Sequence, residues 1–168
     1  MELIIKKEDI QARVNQMAID IVIDHKKSGN SLPPVMICIL NGAYMFYTDL
    51  LRYMTIDVQS DFIRLKSYQG QDNSEGIEVI KGLEVDLKGR NVYIVDDICD
   101  TGTTILETLF MVNSHIPQQV KVVTLTRRGG GVDLTDFCGF VIGEEWIAGY
   151  GLDNNGVGRN LEDLYKVN

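Results

Sequence analysis

The run Val35-Met36-Ile37-Cys38-Ile39-Leu40 contains no polar side chain and is closed off by turn formers, Pro33-Pro34 before it and Asn41-Gly42 after it. A short segment that is apolar at every position cannot turn one face to water. It fits a strand covered on both faces, the signature of a parallel sheet sandwiched between helices. Asn91 to Asp96 predicts a second buried strand, Val120 to Thr126 a third strand and Phe137 to Ile142 a fourth. Between them the period changes. Ile10, Val14, Met17, Ala18, Ile21 and Val22 recur at helical spacing and predict an amphipathic helix near residues 8–28, which Ser28-Gly29-Asn30-Ser31 ends. Helices are also predicted from about Ala43 to Tyr53 and from about Thr103 to Ser114, and a strand from Asp57 to Lys66. Alternation of strand and helix implies an α/β fold with a central, largely parallel sheet flanked by helices. With 168 residues and no internal repeat or linker, a single domain over 1–168 is expected.

From Ser67 to Gly82 the pattern lapses. Gln69-Gly70-Gln71-Asp72-Asn73-Ser74-Glu75-Gly76 is polar and without period, and reads as a long loop of the kind that serves as an active-site lid.

Charge and cysteine content narrow the function. A formal net charge of −8 argues against a passive nucleic-acid binder, which shows a basic field, but not against a small anionic substrate. Cys38, Cys99 and Cys138 are odd in number and sit in or beside apolar runs, which reads as reduced thiols. No apolar run reaches the roughly 20 residues of a membrane span, and the N-terminus is charged too early for a signal peptide. A cytoplasmic location is expected, with no membrane partner.

The segment Val92-Tyr93-Ile94-Val95-Asp96-Asp97-Ile98-Cys99-Asp100-Thr101-Gly102-Thr103-Thr104 carries the chemistry. A strand delivers Asp96 and Asp97 to the carboxyl edge of the sheet, where open α/β folds bind ligands. Adjacent carboxylates accept hydrogen bonds from vicinal hydroxyls such as those of a ribose. Thr101, Gly102, Thr103 and Thr104 then turn into a helix whose N–H groups and hydroxyls form a phosphate cradle. Gly102 lets backbone approach phosphate closely. Asp100, a third carboxylate, lies within a sugar's length of that cradle. The plain alternative is that these aspartates only cap the helix. One would be explained that way, but three repel one another. Neither G-x-x-x-x-G-K-[ST] nor G-x-G-x-x-G after a strand is present, which disfavours nucleoside triphosphatases and dinucleotide enzymes.

A hydrophobic strand, two acidic residues and Asp-Thr-Gly-x-Thr resemble the phosphoribosyl pyrophosphate (PRPP) motif of type I phosphoribosyltransferases. Three other segments are similar to the hypoxanthine-guanine branch. Asp61 to Tyr68 looks like the opening of its lid, Leu40-Asn41-Gly42-Ala43 stands where its pyrophosphate loop lies, and Trp146 to Asp153, followed by Arg159, looks like its base-binding tail. The resemblance covers nearly the whole chain in the right order. It implies that family's fold, with a small hood built from the chain termini, and Mg²⁺-dependent transfer of ribose 5-phosphate from PRPP to a 6-oxopurine, hypoxanthine or guanine.

By this resemblance Asp96 and Asp97 hold the ribose hydroxyls, partly through Mg²⁺ anchored also by Asp153, and residues 101–104 bind the 5-phosphate. Asp100 accepts a proton from the imidazole side of the purine. Asn41, Gly42 and Arg159 bind pyrophosphate; Arg128, Trp146, Ile147 and Asp153 bind the purine, Trp146 by stacking; Ser67 and Tyr68 close the lid. Two positions depart from the family pattern. Asn41 replaces a Lys or Arg, and Arg128 stands where the purine-contacting lysine is usual, which leaves open the preference among hypoxanthine, guanine and xanthine. A homodimer or homotetramer is implied. Two other functions are weighed: transfer to another base, such as xanthine or a pyrimidine, and an RNA-binding regulator on the same fold. The regulators tend to carry an aromatic at the third acidic position and need a basic surface, so Asp100 and the net charge oppose that reading. Tyr150 is expected only to pack, Cys99 to fill space, and His25 and His115 to have no role.

Overall fold

The computed structural model describes residues 1–69 and 75–167, with side chains except those of 67–69 and 75–77. In chain order the elements are β1 (Glu2–Ile5), α1 (Lys7–Lys27), β2 (Val35–Leu40), α2 (Tyr44–Tyr53), β3 (Gln59–Gln69), β4 (Glu75–Lys81), β5 (Asn91–Cys99), α3 (Thr103–Asn113), β6 (Gln119–Arg128), β7 (Phe137–Ile142), β8 (Ile147–Ala148) and β9 (Leu164–Lys166). The main sheet has the order β4-β3-β2-β5-β6-β7, parallel throughout except that β4 runs against β3. A smaller antiparallel sheet joins β1 from one end of the chain to β9 and β8 from the other. That is the expected hood.

The central strands are buried on both faces, and alternate residues serve opposite layers. Met36 and Cys38 of β2, Tyr93 and Val95 of β5, and Val123 and Leu125 of β6 pack with Ile10, Val14 and Met17 of α1 and Phe46 and Leu50 of α2. Val35, Ile37, Val92 and Ile94 face the other way, onto Val112 of α3 and Leu87. Period-two alternation with no polar face is what removes both layers from water. The apolar positions read for the first helix are those it buries, and His25 joins them. Its first N–H is capped from afar, Lys7 N donating to Asp163 Oδ1 at 2.7 Å.

Two expectations change. Ser67 to Gly82 is not a structureless loop on either side of residues 70–74, which lie outside the described residues. β3 runs on to Gln69 and β4 returns beside it, with Lys66 opposite Glu78. Backbone pairing supports β4 while Val79 and Ile80 stay about half-exposed, so no burial period marks it. His25 does have partners: it is buried, with Nδ1 3.0 Å from Asn91 Nδ2, and Asn91 also donates to Ser28 Oγ.

The topology fixes where a ligand can sit. From β2 the chain moves outward to β3, whereas from β5 it moves the opposite way, to β6 and β7. The loops after β2 and β5 therefore part company, and the crevice between them opens at the carboxyl ends of those strands.

Candidate active site

Two adjoining pockets occupy this crevice. The first is walled by Ile39, Leu40 and Gly42 after β2, Leu65 of β3, Asp96 to Ile98 of β5, and Asp100 to Ile105 entering α3. The second is walled by Arg128, Trp146, Ile147, Leu152 and Asp153, and shares Asp97, Ile98 and Asp100 with the first. Those three shared residues are a partition with a carboxylate on each side of an apolar side chain.

Asp96 is buried at the end of β5, and its Oδ1 accepts the Asp97 N–H at 3.0 Å. Asp97 Oδ1 accepts the Ile98 N–H at 2.9 Å. Burial, and then the neighbouring charge of Asp97, push the Asp96 carboxyl well above the usual carboxylate range. Burial raises Asp97 as well, opposed in part by Arg159. Two desolvated carboxylates side by side are a poor arrangement for an empty pocket. They suit hydroxyl donors or a hard cation, which prefers oxygen ligands.

The turn into α3 is set by Gly102, whose φ of +80° places it in the left-handed region that glycine tolerates. A Cβ there would lie 2.7 Å from Leu134 Cδ1. No side chain caps the helix, which leaves its first N–H groups without such a partner, and residues 102–105 line the pocket. The Thr101 and Thr103 hydroxyls, 3.2 Å apart, flank them. Thr104 lines the same wall. Donors gathered at a positive helix end can hold a phosphate.

Asp100 is half-exposed, so a ligand in either pocket can reach it, and its Oδ2 accepts from Arg128 Nε at 2.9 Å. Arg128 is 8% exposed. Its Nη1 donates to the carbonyls of Gly143 and Glu145, at 2.9 Å each. The guanidinium thus ties Asp100 to the turn that carries Trp146. It lines the second pocket, as expected, but most of its donors are already committed to protein acceptors. Trp146 is 60% exposed, with its indole on the pocket wall and open to a stacking partner.

Other expected residues fall differently. Gly42 lines the first pocket, but Asn41 is exposed and lines neither. Arg159 also lines neither; it forms an ion pair with Asp153 and donates to Gly151 O at 2.7 Å. The other Asp153 oxygen accepts the Gly156 N–H. Asp96 and Asp97 stand together while Asp153 belongs to the second pocket. Among the described residues no three His, Cys, Asp or Glu side chains gather as a ready-made metal cluster. Ser67 and Tyr68 lie on the backbone of β3; their side chains are outside the described residues.

Residues not foreseen also shape the site. Gly131 leaves no space for a side chain, because a Cβ would lie 2.7 Å from Asp100 O. Val132 O accepts from Cys99 Sγ at 3.1 Å. The loop after β6 therefore underpins both Asp100 and the turn into α3. The glycine run 129–131 was its only trace in the sequence.

Comparison with known proteins agrees with this geometry. Residues 5–155 match the family model described as the phosphoribosyl transferase domain. The chain is similar to a hypoxanthine-guanine-xanthine phosphoribosyltransferase of Tritrichomonas foetus, 35% identical over 159 residues, covering 92% of this chain and 85% of that protein. It is also similar to a hypoxanthine-guanine phosphoribosyltransferase of Aquifex aeolicus, 34% identical, covering 99% and 94%. The crystal structure of a hypoxanthine-guanine phosphoribosyltransferase from Bacillus anthracis superposes with a TM-score of 0.89 at 32% identity, covering 99% and 98%. A crevice at the β2–β5 divide, a glycine turn into α3 at its edge and a match over nearly the whole chain point one way: the chain belongs to the phosphoribosyl transferase domain family.

Proposed function

We propose that this protein is a purine-salvage phosphoribosyltransferase, acting as one domain over residues 1–168 in the cytoplasm. It transfers the 5-phosphoribosyl group of PRPP to hypoxanthine or guanine, giving the nucleotide and pyrophosphate. One observation carries the reading: Asp97, Ile98 and Asp100 form a wall common to a pocket lined by the turn into α3 and to a pocket bearing an exposed indole. A sugar phosphate in the first and a flat base in the second would meet at that wall.

In the reaction the bond from the sugar C1 to pyrophosphate breaks, the bond from C1 to the base nitrogen N9 forms, and the base gives up a proton. Residues 101–104 bind the 5-phosphate, and Asp96 and Asp97 hold the ribose hydroxyls. Asp100, kept in place by Arg128, takes the proton from the imidazole side of the purine. Trp146 stacks on the base, with Ile147 and Asp153 beside it. Gly42 offers backbone to the pyrophosphate, and Arg159, released from Asp153, would reach it as a charged fork. Mg²⁺ bound through Asp96, Asp97 and substrate oxygens, with Asp153 nearby, would offset the charge of the departing pyrophosphate. Two carboxylates and no complete cage fit a cation that arrives with its substrate and keeps several waters.

The test is a base panel with PRPP and Mg²⁺, comparing hypoxanthine, guanine, xanthine, adenine and uracil by nucleotide formed. Turnover of the 6-oxopurines is expected; turnover confined to pyrimidines, or none, would sink the proposal. Light scattering is expected to give a homodimer or homotetramer.

A further inference from the structure

Gly149, Tyr150 and Gly151 carry φ values of +106°, +47° and +102°, three residues in succession in the left-handed region. Glycine adopts it freely, but a tyrosine there is strained, and such strain persists only where the surroundings over-determine it. Here they do. Gly149 and Leu152 exchange N–H to carbonyl hydrogen bonds at 3.0 Å, Tyr150 N donates to Leu161 O at 2.8 Å, and Gly151 N to Arg159 O at 2.9 Å. The Tyr150 ring is buried in the core shared with α1 and α2, and its hydroxyl donates to Asp49 Oδ2 on α2 at 2.7 Å.

The turn lies directly on the loop after β2. A Cβ on Gly151 would fall 2.2 Å from Gly42 O, so backbone meets backbone. Gly42 in turn touches Asp97. Leu152 and Asp153, which follow the turn, wall the second pocket, whereas Gly42 walls the first. The spacing between the two pockets is therefore set where Gly151 sits on Gly42, and α2, which begins just beyond that loop, holds the turn down through Asp49.

We infer that the Tyr150–Asp49 hydrogen bond is a strut that fixes the base pocket against the phosphoribosyl pocket, making Tyr150 and Asp49 positioning residues for transfer. The inference rests on the phosphoribosyl-transfer reading above. Tyr150 lines neither pocket, so its effect is exerted through the Gly151–Gly42 contact. Bond formation needs the base nitrogen and the sugar carbon about 3–3.5 Å apart in line, and a misplacement of about 1 Å costs roughly 100-fold in rate.

Tyr150→Phe removes only the hydroxyl. Its kcat is expected to fall about 10-fold or more, part of that positional limit, with the Kd for PRPP changed less than about threefold. Asp49→Ala, at a partly exposed helix position, should reproduce the loss. Asp49→Asn keeps an oxygen that accepts the phenol proton and should stay within about threefold of the parent, since the 3.5 Å Arg52–Asp49 contact it weakens is exposed. Because both changes break one bond, Tyr150→Phe combined with Asp49→Ala should be no slower than the slower single variant. Rates are taken well below each variant's melting midpoint. Unchanged kcat in Tyr150→Phe, or losses that multiply in the double variant, would overturn the strut. A parent protein inactive on every base would instead refute the phosphoribosyl-transfer reading.

Discussion

Asp97 stands where a side chain on Gly42 would have to go: a Cβ built on Gly42 falls 1.6 Å from Asp97 Oδ2. Backbone of the loop after β2 and carboxylate of β5 are thus in direct contact across the crevice. Gly42→Ala should leave the fold in place, since the obstructing group is one rotatable carboxylate, but it should expel Asp97 from its position. We expect a stability loss within about 2 kcal/mol, in the ordinary range for single substitutions, and a rise of about 10-fold or more in the KM for PRPP. Thermal melting beside steady-state kinetics separates the two effects, and an unchanged KM would remove Gly42 from the site.

Asp100 and Arg128 make a second testable pair. Asp100→Asn keeps the shape of the side chain and removes its capacity to take a proton. With hypoxanthine as acceptor, kcat is expected to fall about 10²- to 10⁴-fold, the usual contribution of a general base. Unchanged turnover would dismiss the assigned role.

Arg128→Lys replaces a fork with one ammonium nitrogen, whose three N–H groups radiate from a single point and cannot stand in for both Nε, on Asp100 Oδ2, and Nη1, on Gly143 O and Glu145 O. A hydrogen bond from a charged donor contributes about 1.5–3 kcal/mol, and less here because Gly143 is exposed and Glu145 half-buried. The melting midpoint should therefore drop, and the KM for the purine should rise because the turn bearing Trp146 loosens. A lysine variant as stable as the parent would mean that the carbonyl contacts carry no weight.

How much of this was legible depended on where each interaction stores its information. β2 and β5 could be read because both faces are buried, and that leaves an apolar run in one piece, whereas β6, broken by Lys121 and Thr124, keeps enough valines and leucine to show as a strand. Asp96 to Thr104 could be read because its donors and acceptors are contiguous. β4 could not, since its support is backbone pairing with β3 and Val79 and Ile80 stay half-exposed. Nor could the short hood strands, of two to four residues, which draw their partners from opposite ends of the chain. In the site, Arg128 and Arg159 bind not only the carboxylates of Asp100 and Asp153 but also the carbonyls at 143, 145 and 151. Every residue has a carbonyl, so composition gives no sign of which ones are used. Arg128 and Arg159 could therefore be picked as candidate cations, but not seen to be engaged already.

Asp61 provides a prediction about pH that does not involve the site. Its side chain is buried at the start of the β3–β4 arm, and it accepts from the N–H groups of Glu84, Val85 and Phe62 at 2.7, 3.0 and 2.7 Å and from Lys81 Nζ at 3.2 Å. Burial works against its charge, but the backbone donors and Lys81 outweigh it and hold the carboxyl below the usual range. A carboxyl lowered in the folded state contributes stability above its unfolded pKa of about 3.9, and loses it as pH falls through the lower folded value. Asp61→Asn presents an N–H₂ group to these donors, so at pH 7 it should cost about 2–3 kcal/mol. That cost should stay level down to about pH 5 and shrink below it, as the parent's own carboxyl takes up a proton. Denaturant unfolding of both proteins at several pH values measures the difference directly. A gap between them that widened as the pH fell would have the wrong sign for a carboxylate held by donors.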